Sequence, residues 1–358
     1  MDTVTMIRQS VFFYYLIISL PVSAQPYVDM DSFFSSEPIS LKAIDDDWQG
    51  EYHPNGEKLT ASVWLESGFK KNGWALGALY REEHLYNFTS DTADLYYTIS
   101  NDADLDPNRT YNIALDAYRF RGLGLRLANE YPITPKLNVS VGGSLFSASK
   151  VLEGSLTGSA SAETSDTYDY QFEGDYVYDK DVLFGRPNTK APNGIGLALD
   201  VGLDWKPTKQ SQIKLNIRDL AGAIHWKDAP YTVAQANSDN VTTDEDGFSS
   251  VNPILSGFEG YRSSYTQHLE PSANLSAQYQ PTGSRYTASA KLKYINDDVF
   301  YAIGGQKAFA NSQLALHYWP NINTLEMGWS GKQLDLSLAI DDVDFSDART
   351  FWLSLTYQ

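Results

Sequence analysis

The sequence predicts an all-β protein, a transmembrane antiparallel up-and-down β-barrel of the bacterial outer-membrane type. Three observations predict this class: apolar and polar residues alternate with period 2, short turns alternate with long loops, and an export signal begins the chain. We expect about fourteen strands, within a range of twelve to fourteen, because an even number returns both ends of the barrel to the same side of the membrane.

The clearest alternation lies between residues 193 and 224. Its apolar positions, all on one side of an extended chain, are Ile195, Leu197, Leu199, Val201, Leu203, Ile213, Leu215 and Ile217. In a soluble sandwich this apolar side would form the core, whereas in a membrane barrel it would face lipid. The hairpin by itself leaves both alternatives open.

The lengths of the connections favour the barrel. One group is short and rich in turn-forming residues, at 70–73, 132–135, 207–211, 281–284, 310–312 and 331–332. The connections at the other end are longer and mostly acidic, and we predict long outer loops near 87–108, 152–192 and 225–265. Periplasmic turns that alternate with longer extracellular loops are typical of an outer-membrane barrel.

The beginning of the chain predicts export. Arg8 precedes an apolar run at residues 11–20, and Ala24 ends a stretch of small residues that a signal peptidase reads, so residues 1–24 are predicted to be a signal peptide. The competing interpretation, an uncleaved anchor helix, needs about 20 apolar residues, which is more than this run contains. Together with the barrel pattern, export predicts the outer membrane of a Gram-negative cell.

The segment that follows is predicted to lie outside the barrel wall. Residues 25–38 show no periodicity, and we expect a periplasmic N-terminal extension or plug whose Phe33 and Phe34 pack into the lumen or just beneath it. The alternative is a simple tether. Residues 39–358 then form a single barrel domain, with a weak first strand at residues 39–47.

The composition excludes several classes of protein. The chain contains no cysteine, so it forms no disulfide. A formal net charge of −18 is unlike the basic surface that binds nucleic acid, and no nucleic-acid partner is expected. Aromatic residues make up 13% of the chain, which suits the interfacial aromatic girdles of a barrel.

Charged residues on the polar side of the predicted strands are the main candidates for function. The predicted lumen-lining residues are Asp116, Arg126, Asp200, Asp204, Lys214, Arg218, His268, Glu270, Lys291 and Lys293. They form either a selectivity lining or a network of ion pairs that fills the interior. A fourteen-stranded barrel lies between the small filled barrels and the wide open ones, so both alternatives remain.

Two arginines interrupt a row of lipid-facing residues. Arg119 and Arg121 share the parity of Leu123, Leu125 and Leu127, and their distance from the turn that follows places them near the outer boundary of the membrane. We predict that they contact the phosphates of lipopolysaccharide. The alternative is a bulge near Gly122 that turns both side chains into the lumen.

Evidence for a metal site or for catalysis is weak. Asp102, Asp104 and Asp106 resemble the start of a calcium loop, but Pro107 and Ile113 occupy the positions where an EF-hand needs glycine and a bidentate acid. A solvated acidic loop is the competing interpretation. None of the five histidines lies in a nucleophile context, so we predict neither an enzyme nor a cofactor.

The chain resembles the long-chain fatty-acid transporter superfamily, including its conjugation-associated relatives. The resemblance rests on the expected strand count, the short N-terminal extension, and strands such as residues 194–205 followed by 213–222. Residues 25–38 lack the Asn-Pro-Ala motif of that family, so no ligand residues are carried over.

The resemblance implies a porin-like transport protein that passes or binds a small solute, and hydrophobic solutes are among the candidates. The alternative is a non-transport barrel that serves as an accessory or anchor for a surface, secretion or conjugation assembly. The expected partners are outer-membrane lipid, lipopolysaccharide, a small solute and, in the alternative, a partner protein of the surface assembly.

Overall fold

The computed structural model describes residues 24–162, 168–238, 241–243, 249–251 and 254–358. In this part of the chain sixteen strands form one antiparallel sheet. Two of them add no width to the wall, because β6 lies in line with β7 and β11 lies in line with β12 along the two edges of β8. The barrel wall therefore contains fourteen strands. The predicted fold class is therefore confirmed. The predicted signal peptide lies, up to residue 23, outside the described residues.

The strands are β1 (Gln25–Ser36), β2 (Lys58–Lys71), β3 (Trp74–Phe88), β4 (Thr110–Thr134), β5 (Leu137–Ala162), β6 (Tyr168–Tyr178), β7 (Asn193–Trp205), β8 (Ser211–Asn237), β9 (Val241–Thr243), β10 (Ser249–Val251), β11 (Ile254–His268), β12 (Ser272–Tyr279), β13 (Tyr286–Ile295), β14 (Asp298–Ala308), β15 (Gln313–Trp319), β16 (Thr324–Ser330), β17 (Leu334–Ile340) and β18 (Thr350–Tyr357). The helices are α1 (Leu41–Asp45), α2 (Ser90–Ser100) and a 3-10 turn at Pro320–Ile322. Within the described residues, no helix is both long and apolar enough to cross a membrane.

The wall closes between the first and last strands. Its order is β1 to β5, β7, β8 and then β12 to β18, and β18 pairs with β1 from Val28 opposite Tyr357 to Ser35 opposite Thr350. The expected number of strands is right, but the first strand is not the expected one.

The segment predicted to be a plug is strand β1. It pairs with β18 on one side and β2 on the other, so its backbone groups are satisfied within the wall. The weak strand predicted at residues 39–47 is wrong, because this segment contains α1. The Ser40 hydroxyl caps that helix by accepting the Ala43 N–H at 3.2 Å.

The two ends of the barrel differ. The predicted short turns join β2 to β3, β4 to β5, β7 to β8, β12 to β13, β14 to β15 and β16 to β17 at one end, here called the turn end. The longer connections lie at the opposite end, here called the loop end. Exposed aromatic side chains surround the turn end: Trp74, Tyr131, Trp205, Tyr279, Tyr286 and Trp329. Such a girdle marks a membrane interface.

The outward face between the two ends is apolar. Ile195 and Leu197 are each 61% exposed, and Leu125 is 60% exposed. Leu199 and Leu145 share this face through the register of β5 and β7. The predicted lipid-facing row on β7 therefore lies on the outside of the barrel.

A sheet projects from the loop end beyond the wall. The upper part of β5 pairs with β6, which also pairs with β8, and β8 pairs with β11. Residues 152–192 and 225–265 were expected to be loops, and this expectation is wrong for much of their length. Both faces of these strands carry polar residues, so the sequence lacks the alternation that marks a lipid-facing strand. Their Tyr, Thr and Val residues nevertheless favour the strand conformation.

Helix α2 covers one edge of the projecting sheet. The Thr92 hydroxyl donates to the Ala114 carbonyl at 3.0 Å and lies 3.0 Å from the Ala114 nitrogen, whose N–H it accepts. The Asp91 carboxylate accepts the Asn112 N–H at 2.9 Å. The helix thus supplies hydrogen bonds that a neighbouring strand would otherwise make.

An apolar layer fills the barrel interior toward the loop end. Its largest members are Phe33, Phe120, Phe146, Trp226, Phe300 and Trp319, all buried. The ring centroids of Phe33 and Phe300 lie 5.2 Å apart, and those of Phe120 and Phe146 lie 6.0 Å apart. These contacts close the lumen above the turn-end half.

Candidate functional site

The turn-end half of the interior holds a cavity of about 600 Å³. Small side chains on the inward face, such as Ser276, Ser337 and Ser354, leave this space open. The indoles of Trp319 and Trp352 border the cavity and belong to or pack against the apolar layer. The cavity is therefore polar on its sides and aromatic at its inner end.

Asp31 of β1 is the main acceptor beneath the apolar layer. Its carboxylate accepts the Arg218 guanidinium at 3.0 Å and the indole N–H of Trp352 at 2.6 Å. The Lys293 amine lies 3.6 Å from the same carboxylate. Four strands, β1, β8, β13 and β18, meet at this one side chain.

Arg126 of β4 forms a second set of ion pairs. It donates to Asp200 at 2.8 Å and to Glu66 at 3.2 Å. Tyr27 of β1 donates its hydroxyl to the same Glu66. These contacts connect β1, β2, β4 and β7 across the interior.

A third set lies within the apolar layer itself. Arg81 is 1% exposed, donates to Asp219 at 2.6 and 2.7 Å, and donates to Glu83 at 2.5 Å. Its guanidinium lies 4.9 Å from the centroid of the Phe120 ring. Two carboxylates and a ring face thus offset the buried charge, as burial of a charge requires, although the Nε–H of Arg81 has no hydrogen-bond partner among the described residues.

The sequence analysis did not identify Arg81, Glu83 and Asp219 as interior residues. The run from Arg81 to Glu83 consists of three charged residues, so it shows no alternation of apolar and polar side chains. In the structure Arg81 and Glu83 point inward, and Glu82 points outward with Arg121. Asp219 lies in a bulge of β8, with φ 55°, between the pairs Leu199–Ala221 and Val201–Ile217. A bulge inserts residues that break the count.

Most of the predicted lumen residues point into the interior. The structure places Arg126, Asp200, Asp204, Lys214, Arg218, Lys291 and Lys293 there. Lys291 pairs with Glu326 at 2.5 Å, and Gln212 donates to Asp204. Asp116 and Glu270 instead border a separate cavity of about 320 Å³ near the loop end.

The prediction for His268 is wrong. Its register partner is Ala223, which pairs with Leu197 on the outward face, whereas the adjacent Leu269 is buried in the apolar layer. Odd-numbered residues point inward in β11 and even-numbered residues point inward in β12. The change occurs at residues 269–271, where the strand pairing is interrupted opposite the β8 bulge. Pro271 cannot donate a ladder hydrogen bond, which favours such a break.

Phe33 and Phe34 are wall residues and do not form a plug. Phe33 points inward from β1, is 1% exposed and packs edge-on against Trp352 with centroids 5.7 Å apart. Phe34 points the opposite way and contacts Phe351. Period 2 sends neighbours to opposite faces, so they cannot enter the lumen together.

Arg119 and Arg121 point outward. Arg121 binds both oxygens of Glu82 at 3.0 Å, and Arg119 donates to Asp179 at 2.5 Å. A bulge does occur here, but it lies on β5 at Lys150, with φ 65°, and leaves the parity of β4 unchanged. Both guanidinium groups therefore have carboxylate partners within the chain.

The weak calcium candidate gains no support. Asp102, Asp104 and Asp106 are exposed, and Asp106 accepts the Asn108 N–H at 2.9 Å as a turn cap. Across the described ranges, no three His, Cys, Asp or Glu side chains are arranged to hold a metal ion.

Solved structures to which the chain is similar include a hydrocarbon channel, a toluene transporter and a FadL homologue. The TodX deltaS2S3 mutant, a monoaromatic hydrocarbon channel, is 11% identical with a TM-score of 0.45, and the match covers 94% of this chain and 90% of that one. The toluene transporter TbuX of Ralstonia pickettii is 9% identical, with a TM-score of 0.31 and coverage of 94% and 89%. A Pseudomonas aeruginosa FadL homologue is 10% identical, with a TM-score of 0.28 and coverage of 93% and 89%.

The fold agrees with the resemblance found in the sequence, since the barrel has the fourteen strands expected of the fatty-acid transporter superfamily. The comparison with curated proteins gave no match. Residues 16–318 match DUF5723, described as a family of unknown function. Because this match covers most of the chain, the protein belongs to the DUF5723 family.

Proposed function

We propose that the protein is an outer-membrane barrel of a Gram-negative cell that binds a small solute in the turn-end cavity and passes it when the apolar layer opens. The observation that carries this proposal is the cavity itself, polar on its sides and bounded by Trp319 and Trp352. The turn end faces the periplasm in this proposal, as short turns do in outer-membrane barrels.

The lining of the cavity favours a solute without a strong net charge. Its basic residues are Arg126, Lys214, Arg218 and Lys291, and its acidic residues are Asp29, Asp31, Glu130, Asp204 and Glu326. Four cations and five anions nearly cancel, and most are held in ion pairs. Aromatic rings beyond them favour an apolar portion in the solute.

Conductance in planar bilayers tests the proposal. We expect the wild-type barrel to be closed or nearly so, because side chains fill the interior above the cavity. Replacing Phe33 and Trp319 together with alanine should produce steady conductance. Trp329→Ala, an outward residue of the aromatic girdle, is the matched control and should leave the barrel closed.

Liposome swelling with sugars and amino acids of different charge then tests the solute class. Faster entry of uncharged or zwitterionic solutes through the double variant supports the proposal. A silent double variant that is correctly folded would refute passage through the apolar layer.

The projecting sheet supports a second candidate function, an accessory or anchor for a surface assembly. Among the described strands β11 pairs with β8 alone, so its other edge is open. Phe258 of β11 is 77% exposed, and Leu255 is also exposed. An open edge with exposed apolar side chains is suited to receive another chain.

Photocrosslinking in intact cells distinguishes the two candidates. A photoreactive residue at position 258 should capture one defined protein if the sheet anchors an assembly, whereas the same residue at position 343, also exposed at the loop end, should not. Equal background capture at both positions would refute the anchor function.

A further inference from the structure

We propose that the outward face of β7 and β8 holds one lipopolysaccharide molecule, with an acyl chain in an apolar groove and a phosphate on lysines at the loop-end side of that groove. This site rests on the proposed location in the outer membrane. It does not depend on solute passage through the interior.

The groove has a volume of about 470 Å³ and is almost entirely apolar. Its lining comes from Ile195, Leu197 and Leu199 of β7 and from the consecutive small residues Ala221, Gly222 and Ala223 of β8. Of the three small residues, Ala221 and Ala223 point outward and Gly222 faces Leu269 in the interior, so the long side chains of β7 stand beside two short ones and leave a depression in the lipid-facing wall. A depression of this shape fits a chain of methylene groups, which gains contacts along its length.

The groove ends in polar residues on the loop-end side. His225 and Thr266 pair with each other in the register of β8 and β11 and close that end of the groove. Lys227 follows His225 on the same face, about 7 Å farther toward the loop end at the usual strand rise. Lys227 is exposed, and among the described residues no carboxylate forms an ion pair with its amine.

The row of polar residues continues sideways along the wall. Lys227 pairs with Asn193 on β7, and Arg121 of β4 pairs with Ser149 on β5. Lys150, next to Ser149, is 52% exposed, although its amine lies 3.3 Å from Asp179. This row marks the level at which the apolar wall ends, and it supplies amines at the depth of lipid phosphates.

The two arginines predicted to bind phosphate are already paired with carboxylates of the chain. Glu82 occupies Arg121, and Asp179 occupies Arg119, so neither guanidinium is free for a bidentate phosphate contact. Lys227 carries the phosphate contact instead, with Lys150 beside it. Asp228 is exposed next to Lys227, so the contact is that of one amine and not of a strongly basic patch.

The position of the groove favours lipopolysaccharide over a phospholipid. Its polar end points toward the loop end, which faces outward in the proposed function, and the outer leaflet there contains lipid A with phosphates on its sugars. The chain has a formal net charge of −18, so an anionic lipid needs a local cation to approach this wall closely.

Native mass spectrometry of the purified full-length barrel tests the site. The probes are bisphosphorylated lipid A, the same lipid without its phosphates, and phosphatidylglycerol. Ala223→Leu fills the groove, and Lys227→Ala removes the amine. The controls are Ala290→Leu on the outward face of β13, which pairs opposite exposed Ile303, and Lys209→Ala at the turn end.

We expect one retained lipid A per wild-type barrel. Lys227→Ala should lower retention about threefold, the size of a surface ion pair, and Ala223→Leu should lower it as well because the larger side chain occupies the groove. The controls should match wild type, and the lipid without phosphates should bind wild type and Lys227→Ala equally. Unchanged retention in the variant that combines Ala223→Leu with Lys227→Ala, or equal retention of phosphatidylglycerol, would overturn the proposal.

Failure of this site and failure of the proposed function are separable. Retention of lipid A by a barrel that never conducts would leave the lipid site standing and refute solute passage. Conductance by the Phe33 and Trp319 variant without lipid A retention would do the reverse. Labelling of Val343→Cys, at the loop end and away from the groove, by an impermeant reagent on intact cells should occur if the loop end faces outward, and protection from it would overturn the lipid site.

Discussion

The carboxylate of Asp31 accepts the indole N–H of Trp352 at 2.6 Å, although the two residues lie 321 positions apart in the sequence. They belong to β1 and β18, the strands that close the barrel. Arg218 and Lys293 approach the same carboxylate from two other strands. This buried acceptor therefore holds the seam of the barrel from the inside.

Asp31→Asn should weaken the barrel strongly. Asparagine keeps the hydrogen bond from Trp352 but leaves the buried Lys293 amine without an anion and Arg218 with only Asp29, at 3.6 Å; removing the partner of a buried charge costs about 3–5 kcal/mol in comparable cases. The measurement is the urea midpoint of the folded band in gel electrophoresis without heating. Asp342→Asn, in the exposed loop before β18, is the control and should leave the midpoint unchanged.

Deletion of residues 25–38 should abolish folding. The deletion removes β1 and leaves the facing edges of β2 and β18 unpaired. Their backbone N–H and C=O groups would then lack hydrogen-bond partners in lipid. We expect no heat-modifiable band after refolding into detergent. Asparagine at positions 46 and 47, which follow α1 and lie outside the barrel wall, should fold as wild type. A folded deletion variant with increased conductance would instead support the plug.

Leu199→Arg should cost about 2–4 kcal/mol of unfolding free energy, because its side chain faces lipid near the middle of the apolar wall. Val182→Arg introduces the same side chain in the exposed connection between β6 and β7 and should cost about 0–0.5 kcal/mol. Equilibrium unfolding in lipid vesicles measures both. Equal costs would contradict the assignment of the outward face.

Acid should loosen the contact between α2 and β4. Although partial burial raises the pKa of Asp91, hydrogen bonds from the Asn112 N–H and from Arg109 lower it more, so this pKa lies below its ordinary value of 3.8. A depressed pKa in the folded state gives stability that is complete above pH 3.8 and is lost as the pH falls through the folded value. Hydrogen exchange of α2 measures the change.

The variant Asp91→Asn serves as the comparison for that experiment. It should show faster exchange in α2 at neutral pH and little further change on acidification, because the titrating group is gone. Persistent acid sensitivity in Asp91→Asn would assign the effect to another carboxylate, such as Asp94, which also pairs with Arg109.

The sequence predicted the barrel and its lipid-facing rows because one local rule, alternation of side chains along a strand, decides them. Ile195, Leu197 and Leu199 were assigned to the outward face on that rule alone. The rule failed where the inward face is itself mixed, as in β1, where Tyr27, Asp29, Asp31 and Phe33 all point inward. It also failed beside the β8 bulge, where His268 and Leu269 exchange faces.

Only the tertiary structure decided which charges meet. Asp31 and Arg218 lie 187 positions apart, and Arg81 and Asp219 lie 138 apart, so their pairing depends on the register of many intervening strands. The same register decided that aromatic rings from β1, β4, β5, β8, β14 and β15 converge into a layer that closes the lumen. Alternation along one strand selects a face, but only the closed ring of strands selects the neighbours across it.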